Sequence, residues 1–223
     1  MRIIAHRNIE KRLIFNGENS YCISIENQQF LRNFIIDLKR QLSGEDGPFL
    51  LFDDLDQLSL GENIELITDF FNLDLCNKKF SSSIYKKISS MITDETIKII
   101  LDKCNLLIEN MFQEINYRLP INISYNSESN LNDFAKMISV VPESNYLDAV
   151  EVLLNYLKLV INLKKIDIIF LCNSLLLFTQ EEILSLIKEC RYLKINLVFI
   201  EGPFIHKIPS VDYIIIDKDL CEI

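Results

Sequence analysis

The sequence predicts an α/β fold built on a parallel sheet, and three observations carry that expectation. The first is the run Ile166-Asp167-Ile168-Ile169-Phe170-Leu171-Cys172, directly after Lys164-Lys165. It is short, apolar and rich in β-branched residues, which is how a strand buried on both faces reads. The second is that similar runs recur at 196–200 and 212–217. The third is a helical pattern over 180–193, between the first two runs. Strand, helix and strand with a crossover of this length imply a parallel pair joined right-handed.

Taken in order, residues 11–15 and 21–25 read as strands joined as a hairpin through Asn16-Gly17, since both turn residues tolerate positive φ. A helix follows with Phe30, Leu31, Phe34, Ile35, Leu38 and Leu42 on one stripe, and the loop 43–48 ends it. Phe49-Leu50-Leu51-Phe52 is the next buried strand, closing on Asp53-Asp54. Ser59 and Glu62 have capping-box spacing, and a short helix with Ile64, Ile67, Phe70 and Phe71 is expected after them.

Near Asp74 the character changes. From Lys78 to about Lys136 the pattern is helical, with no strand until Ile121-Asn122-Ile123. Thr93 is expected to cap a long helix whose first turn holds Asp94 and Glu95, favourable to its dipole. Its apolar positions are Ile97, Ile100, Leu101, Cys104, Leu107, Ile108, Met111, Phe112 and Ile115. They follow a three-four repeat along roughly 33 Å of helix. Pro120 stops it. The stripe needs a cover, either the preceding helix (Ile84, Ile88, Met91) or another subunit. A further helix spans 146–163, with Leu147, Val150, Leu153, Leu154, Leu157 and Ile161 inward. Thr179 with Glu182 forms a second capping box, at the start of the crossover helix. The expected organisation is an α/β head in two pieces, 1–73 and 143–223, with a helical leg inserted at 74–142.

With 223 residues, 49% of them hydrophobic, the chain can bury one large core or two small ones. Glycine and proline number only five each, which argues against a disordered linker. No apolar run reaches ~18 residues, so no membrane span is expected. The N-terminus is interrupted by charge too early for a signal peptide, so a cytoplasmic protein is expected. The six cysteines form no Cys-x-x-Cys pair and read as free thiols in a reducing compartment. His6 and His206 have no nearby second ligand, so no zinc site is expected.

Net charge is −9, which argues against coating nucleic acid over the whole surface. The charge is uneven, however. Between Cys76 and Cys104 six lysines face three acids, and residues 1–15 carry four basic side chains against Glu10. A local nucleic-acid surface is consistent with that distribution.

The order strand, helix, strand-ending-in-acid is that of a nucleotide-binding α/β domain, yet its phosphate loop is missing. After residue 25 the chain reads Glu26-Asn27-Gln28-Gln29-Phe30. No glycine lets backbone approach a phosphate, no Lys is followed by Ser or Thr, and Glu26 repels the anion. Asp53 and Asp54 stand where a magnesium-binding acid follows a strand, although solvated acids ending a strand are commoner. Nuclease chemistry needs clustered carboxylates, and Asp53, Asp54 and Asp56 are the densest group. No Gly-x-Ser-x-Gly elbow is present.

Several motifs resemble one family across nearly the whole chain. They are Ile67-Thr68-Asp69 with Asn72-Leu73-Asp74, Phe170-Leu171-Cys172-Asn173-Ser174 with Thr179-Gln180-Glu181-Glu182, and the closing Asp212-Tyr213-Ile214-Ile215. The chain resembles the type II-A CRISPR-associated adaptation protein, a small family of DNA-end-binding rings. The resemblance implies a degenerate P-loop-NTPase-like head domain with an inserted α-helical leg domain. It implies a homotetrameric ring that threads double-stranded DNA ends during spacer acquisition, without catalysis, beside the CRISPR integrase and the effector nuclease. It also implies calcium, held by an acidic segment after the leg helix. Here Asn122, Ser124 and Asn126 stand where carboxylates are expected, and neutral oxygens alone bind calcium weakly. Glu114, Glu128, Asp133 and Glu151 remain as candidate ligands; no nucleotide is expected.

Candidate DNA contacts are Lys78, Lys79, Lys86, Lys87, Lys98, Lys103, Arg118 and Lys136. They would neutralise phosphates without reading bases. Singly, each lysine is also what a solvated helix face carries. The alternatives are a metal-dependent nuclease or nucleotidase using Asp53 and Asp54, and a purely structural adaptor docking through the leg-helix stripe.

Overall fold

The computed structural model describes residues 1–17, 19–126, 128–144, 148–203 and 207–223. They fall into two compact units, Met1–Leu73 with Asn145–Ile223, and Asp74–Ser144.

The first unit opens with β1 (Arg2–His6) and β2 (Ile9–Phe15), a hairpin turning at Arg7-Asn8. The predicted hairpin of 11–15 with 21–25 does not exist. Asn16-Gly17 instead carries the chain out of this sheet, with Gly17 at φ +87° and its amide donating to Asn196 Oδ1 at 2.9 Å. The next strand, β3 (Ser20–Ile25), is buried at every position and pairs parallel with strands from the far end of the chain. A favoured turn dipeptide was overridden here because a strand with Tyr21, Cys22, Ile23 and Ile25 gains more from a two-sided burial than from an edge pairing.

Asn27 caps α1 (Gln28–Leu42) by accepting from the Phe30 amide at 3.0 Å, and Phe34 and Leu38 are its buried positions. β4 (Phe49–Asp53) and β5 (Asp56–Leu58) extend the antiparallel sheet to the order β2-β1-β4-β5. β4 alternates buried and exposed side chains and is not covered on both faces. Next come a single turn, α2 (Leu60–Asn63), and β6 (Ile64–Ile67). This corrects the short helix expected over Ile64 and Ile67, which are strand residues. The Ser59 side chain makes no capping bond.

The second unit is helical. α3 (Lys78–Ser90) is capped by Asn77, and a tight turn over Met91–Thr93 follows. α4 (Glu95–Arg118) is capped by Asp94, which accepts from the Thr96 and Ile97 amides; Thr93 is not the cap. α4 stops at Leu119, whose backbone is extended ahead of Pro120 because the proline ring disfavours helix at the preceding residue. The strand expected at Ile121-Asn122-Ile123 is irregular backbone. That loop is fastened to α4: Asn116 Oδ1 accepts from the Ile123 amide, Asn105 exchanges two bonds with Ser129, and the Phe112 and Tyr125 rings stack at 5.1 Å. α5 (Leu131–Met137) closes a capping box between Asn130 and Asp133 and packs against α3.

Back in the first unit, α6 (Ala149–Leu159) buries Val150, Leu153 and Leu157. Tyr146 and Leu147, the expected start of this helix, lie outside the described residues. A widened turn over Val160–Lys164 leads to β7 (Ile168–Cys172). A short α7 (Ser174–Leu177) and α8 (Gln180–Tyr192) precede β8 (Asn196–Glu201), and β9 (Asp212–Ile216) follows. The Thr179–Glu182 capping box forms as expected. Every neighbour in the sheet β6-β7-β8-β3-β9 is parallel, and the chain crosses over β3 between β8 and β9.

One core fills the space between the parallel sheet, α1 and the antiparallel sheet, with Phe34, Phe49 and Phe170 among its fully buried side chains. Each such side chain stabilises the fold by about 1.5–3 kcal/mol. Arg2 of β1 and Asp167 before β7 join the two sheets in a bidentate ion pair. The sheet's other face carries Ile169, Leu171, Leu197 and Phe199, all fully buried, and α8 packs there against β8.

Candidate nucleic-acid interface

A phosphate-binding surface needs exposed cations that an apolar face leaves pointing outward. α3 meets that condition. It carries Lys78, Lys79, Lys86 and Lys87 and no acid, and all four are exposed. At ~100° per residue, Lys79 and Lys86 fall on one line with Lys78 and Lys87 flanking them. Phe80, fully buried, and the half-buried Ile84 and Ile88 form the apolar side, whose border lies between Phe80 and Lys87, about 20° apart around the helix. The fold thus gathers three of the eight candidate cations, Lys78, Lys79 and Lys86, on one helix face, with Lys87 at the border of the apolar side.

The other four are less concentrated. Lys98 and Lys103 are exposed on α4, five residues apart and so on different sides of it. Arg118, in the last turn of α4, meets Glu114 at 3.4 Å, an exposed pair that contributes little. Lys136 is exposed in the last turn of α5, where cations suit the helix dipole. Residues 74–144 hold eight basic and nine acidic side chains, so the local basic face sits in a nearly neutral unit.

α4 leaves part of its stripe open. Leu101 is its buried residue, whereas Ile100, Leu107 and Met111 are 55%, 68% and 50% exposed. α3 covers little of the stripe it was expected to cover.

The acids fit no calcium cage. Asn122, Ser124 and Asn126 are exposed, and Asn126 Oδ1 accepts from the Glu128 amide at 3.1 Å. Asp133 closes its capping box and Glu114 faces Arg118, while Glu151 lies in the first turn of α6, in the other unit. No three His, Cys, Asp or Glu side chains come together to hold a metal among the described residues. These donors, mostly neutral or otherwise engaged, do not fit calcium.

Asp53 and Asp54 are not at the sheet edge where a nucleotide's magnesium is held. β4 belongs to the antiparallel sheet; Asp53 ends it and Asp54 opens the turn into β5, both contacting the Met1 amine at 3.0 Å. At the true carboxyl edge of the parallel sheet, Asn27 Oδ1 accepts from the Phe30 amide in the first turn of α1 and Glu26 donates its own amide to the Ile216 carbonyl. Ligands of open α/β sheets bind outside these strand ends. A second acid, Glu201 at the end of β8, is buried there and was missed by sequence reading. The signal was present: a Glu closes the otherwise apolar run Leu197-Val198-Phe199-Ile200. His206, the other imidazole considered, lies outside the described residues.

The family model described as "CRISPR-associated protein (Cas_Csn2)" matches residues 41–220. No curated protein matches the chain. Among solved structures, Stu0660 of Streptococcus thermophilus is similar over 100% of this chain and 76% of that one, with 13% identity and a TM-score of 0.55. That likeness is one of fold. An ATP-binding cassette of an ABC transporter, MJ1267 in its ADP conformation, aligns over 92% of this chain and 83% of its own at 8% identity, TM-score 0.44. A nucleotide-free ATP-binding cassette from an ABC transporter aligns over 94% and 83% at 12% identity, TM-score 0.45.

Proposed function

The chain belongs to the Cas_Csn2 family of CRISPR-associated adaptation proteins, and from that premise we propose that it binds double-stranded DNA ends without sequence preference and without catalysis. The observation that carries this reading is α3, which bears four exposed lysines and no acid, with Lys78, Lys79 and Lys86 sharing the face turned away from the side of Phe80, Ile84 and Ile88. Such a face neutralises phosphates and releases counterions, which gives affinity but no base readout. In this proposal the protein works in the cytoplasm as a homotetrameric ring, threads duplex from a free end, and acts beside the CRISPR integrase and the effector nuclease. The open apolar stripe of α4 supports association between copies, because exposed apolar surface of this kind marks interaction sites. Glu26 and Asn27 in place of a phosphate loop support a head that holds no nucleotide, and calcium takes no part in the proposed mechanism.

The test is a mobility-shift series with linear and covalently closed duplex of equal length, alongside light scattering of the free protein. The proposal expects a tetramer that retains linear DNA far better than closed DNA, with affinity falling steeply in salt. Equal retention of both forms rules out threading, and a stable monomer rules out the ring. Turnover of DNA or nucleotide with magnesium or manganese that disappears in Asp53→Asn would favour the enzymatic alternative.

A further inference from the structure

Glu201 closes β8 at the carboxyl edge of the parallel sheet and is only 8% exposed. Its Oε1 accepts from the Ser174 hydroxyl at 3.2 Å and from the Leu175 amide at 3.0 Å. Both donors belong to α7, which begins after Asn173, a non-glycine residue in the left-handed region at φ 58°. Asn173 makes no capping bond with its side chain, so the carboxylate from the neighbouring strand does that work. Around it, the Ser24 hydroxyl donates to the Gly202 carbonyl at 2.8 Å, which ties β3 to the residue following Glu201. No Lys or Arg pairs with Glu201 among the described residues. α7 presents Leu176 and Leu177, 70% and 47% exposed.

We infer that Glu201 is a proton-operated latch on the segment 173–178, closed when its carboxyl is neutral and loosened when it ionises. A buried carboxyl without a cation favours its neutral form where the bonds from Ser174 and Leu175 do not make up for the water its charge loses. Burial outweighs the bonds from Leu175 and Ser174 and raises the group from 4.5 to about 7. The other titratable groups in electrostatic reach are Cys22 of β3, Cys172 of β7 and Tyr213 of β9. Both thiols are pushed up to about 12 by burial and Tyr213 is raised too, so none of them changes charge between pH 5 and 8. Glu201 is therefore the group of this cluster that titrates near neutrality. Opening α7 hydrates the carboxylate, which lowers its proton affinity toward the solvated value. By linkage, the opening equilibrium rises about tenfold per pH unit between ~4.5 and ~7 and levels above that.

The experiment is amide hydrogen exchange on the full chain, read on a peptide covering 173–178 and corrected for intrinsic exchange rates. Between pH 5.5 and 6.5 the opening equilibrium is expected to rise about tenfold in the native protein and to stay level in Glu201→Gln. A level profile in the native protein, or the same rise in both proteins, overturns the latch. Infrared titration of the native protein's buried carboxyl band gives a reading that needs no variant. A midpoint near 7 supports the latch, and a midpoint in the ordinary glutamate range overturns it. Neither readout involves DNA or the oligomeric state, so its outcome is separate from that of the proposed function.

Discussion

His6 lies inside the core of the first unit, 7% exposed, with its ring centre 4.9 Å from that of Phe34 and 4.6 Å from that of Phe49. Its Nδ1 accepts from the Asn8 amide, and its buried Nε2 has no hydrogen-bond partner among the described residues. Burial lowers its proton affinity from 6.5 to about 4, although the charge of Asp37 acts the other way. Between those values the unfolded chain binds the proton and the folded one does not, so stability is lost as pH falls. Glu201 has the opposite sign: raised to about 7, it removes stability as pH rises from 4.5. The two slopes overlap from about 4.5 to 6.5 and nearly cancel, each near 1.4 kcal/mol per pH unit. Chemical denaturation across that window should show a flat profile for the native chain. His6→Phe should leave stability falling with pH, and Glu201→Gln should leave it rising. Parallel profiles in all three proteins would contradict this account.

At the scale of elements, close approach decides what periodicity cannot. Gly61 lies in the single turn α2, and a Cβ built there would sit 2.5 Å from the Leu42 carbonyl oxygen at the end of α1. Backbone cannot move aside as a flexible side chain does. Gly61→Ala is therefore expected to cost about 1–3 kcal/mol, read as a lowered urea midpoint with an unchanged slope. The same turn explains why the expected helix over Ile64 and Ile67 is a strand. Spacing of three suits a helix, but the two residues end a four-residue strand, β6, paired parallel with β7 from Ile64 to Ile67. A four-residue apolar segment reads both ways, and its partner lies about a hundred residues further on. By contrast, Thr179 with Glu182, the all-apolar β7 and the apolar run Leu197–Ile200 of β8 were legible, because caps and apolar runs are local properties of the sequence.

For the whole molecule, charge is partitioned. The acidic excess belongs to Met1–Leu73 with Asn145–Ile223, while α3 presents lysines alone. If that face tracks a DNA backbone, Lys79→Glu with Lys86→Glu should weaken duplex binding at least tenfold. It should also reduce the slope of log affinity against log salt by about two, since each lost phosphate contact removes nearly one unit. Anisotropy titrations at several salt concentrations check this, and an unchanged slope would move the binding surface elsewhere. The candidate cations were readable as a run of Lys between Cys76 and Cys104, but not which of them share a face. Lys98 and Lys103 look equivalent to Lys79 and Lys86 in sequence, and helix phase separates them.

From the sequence by itself came the α/β class, the parallel β7–β8 pair with its crossover helix, and the absence of a phosphate loop after β3. Each depends on residues near one another in the chain: apolar runs, capping spacing, missing glycines. Only the tertiary structure decided that β3 lies between β8 and β9, that β4 and its acids belong to a separate antiparallel sheet, and that Glu201 is buried with no Lys or Arg pairing it among the described residues. Those outcomes depend on which distant strands become neighbours. Burial and loss of water, which set both pairing and proton affinity, are properties of that neighbourhood and not of the local sequence.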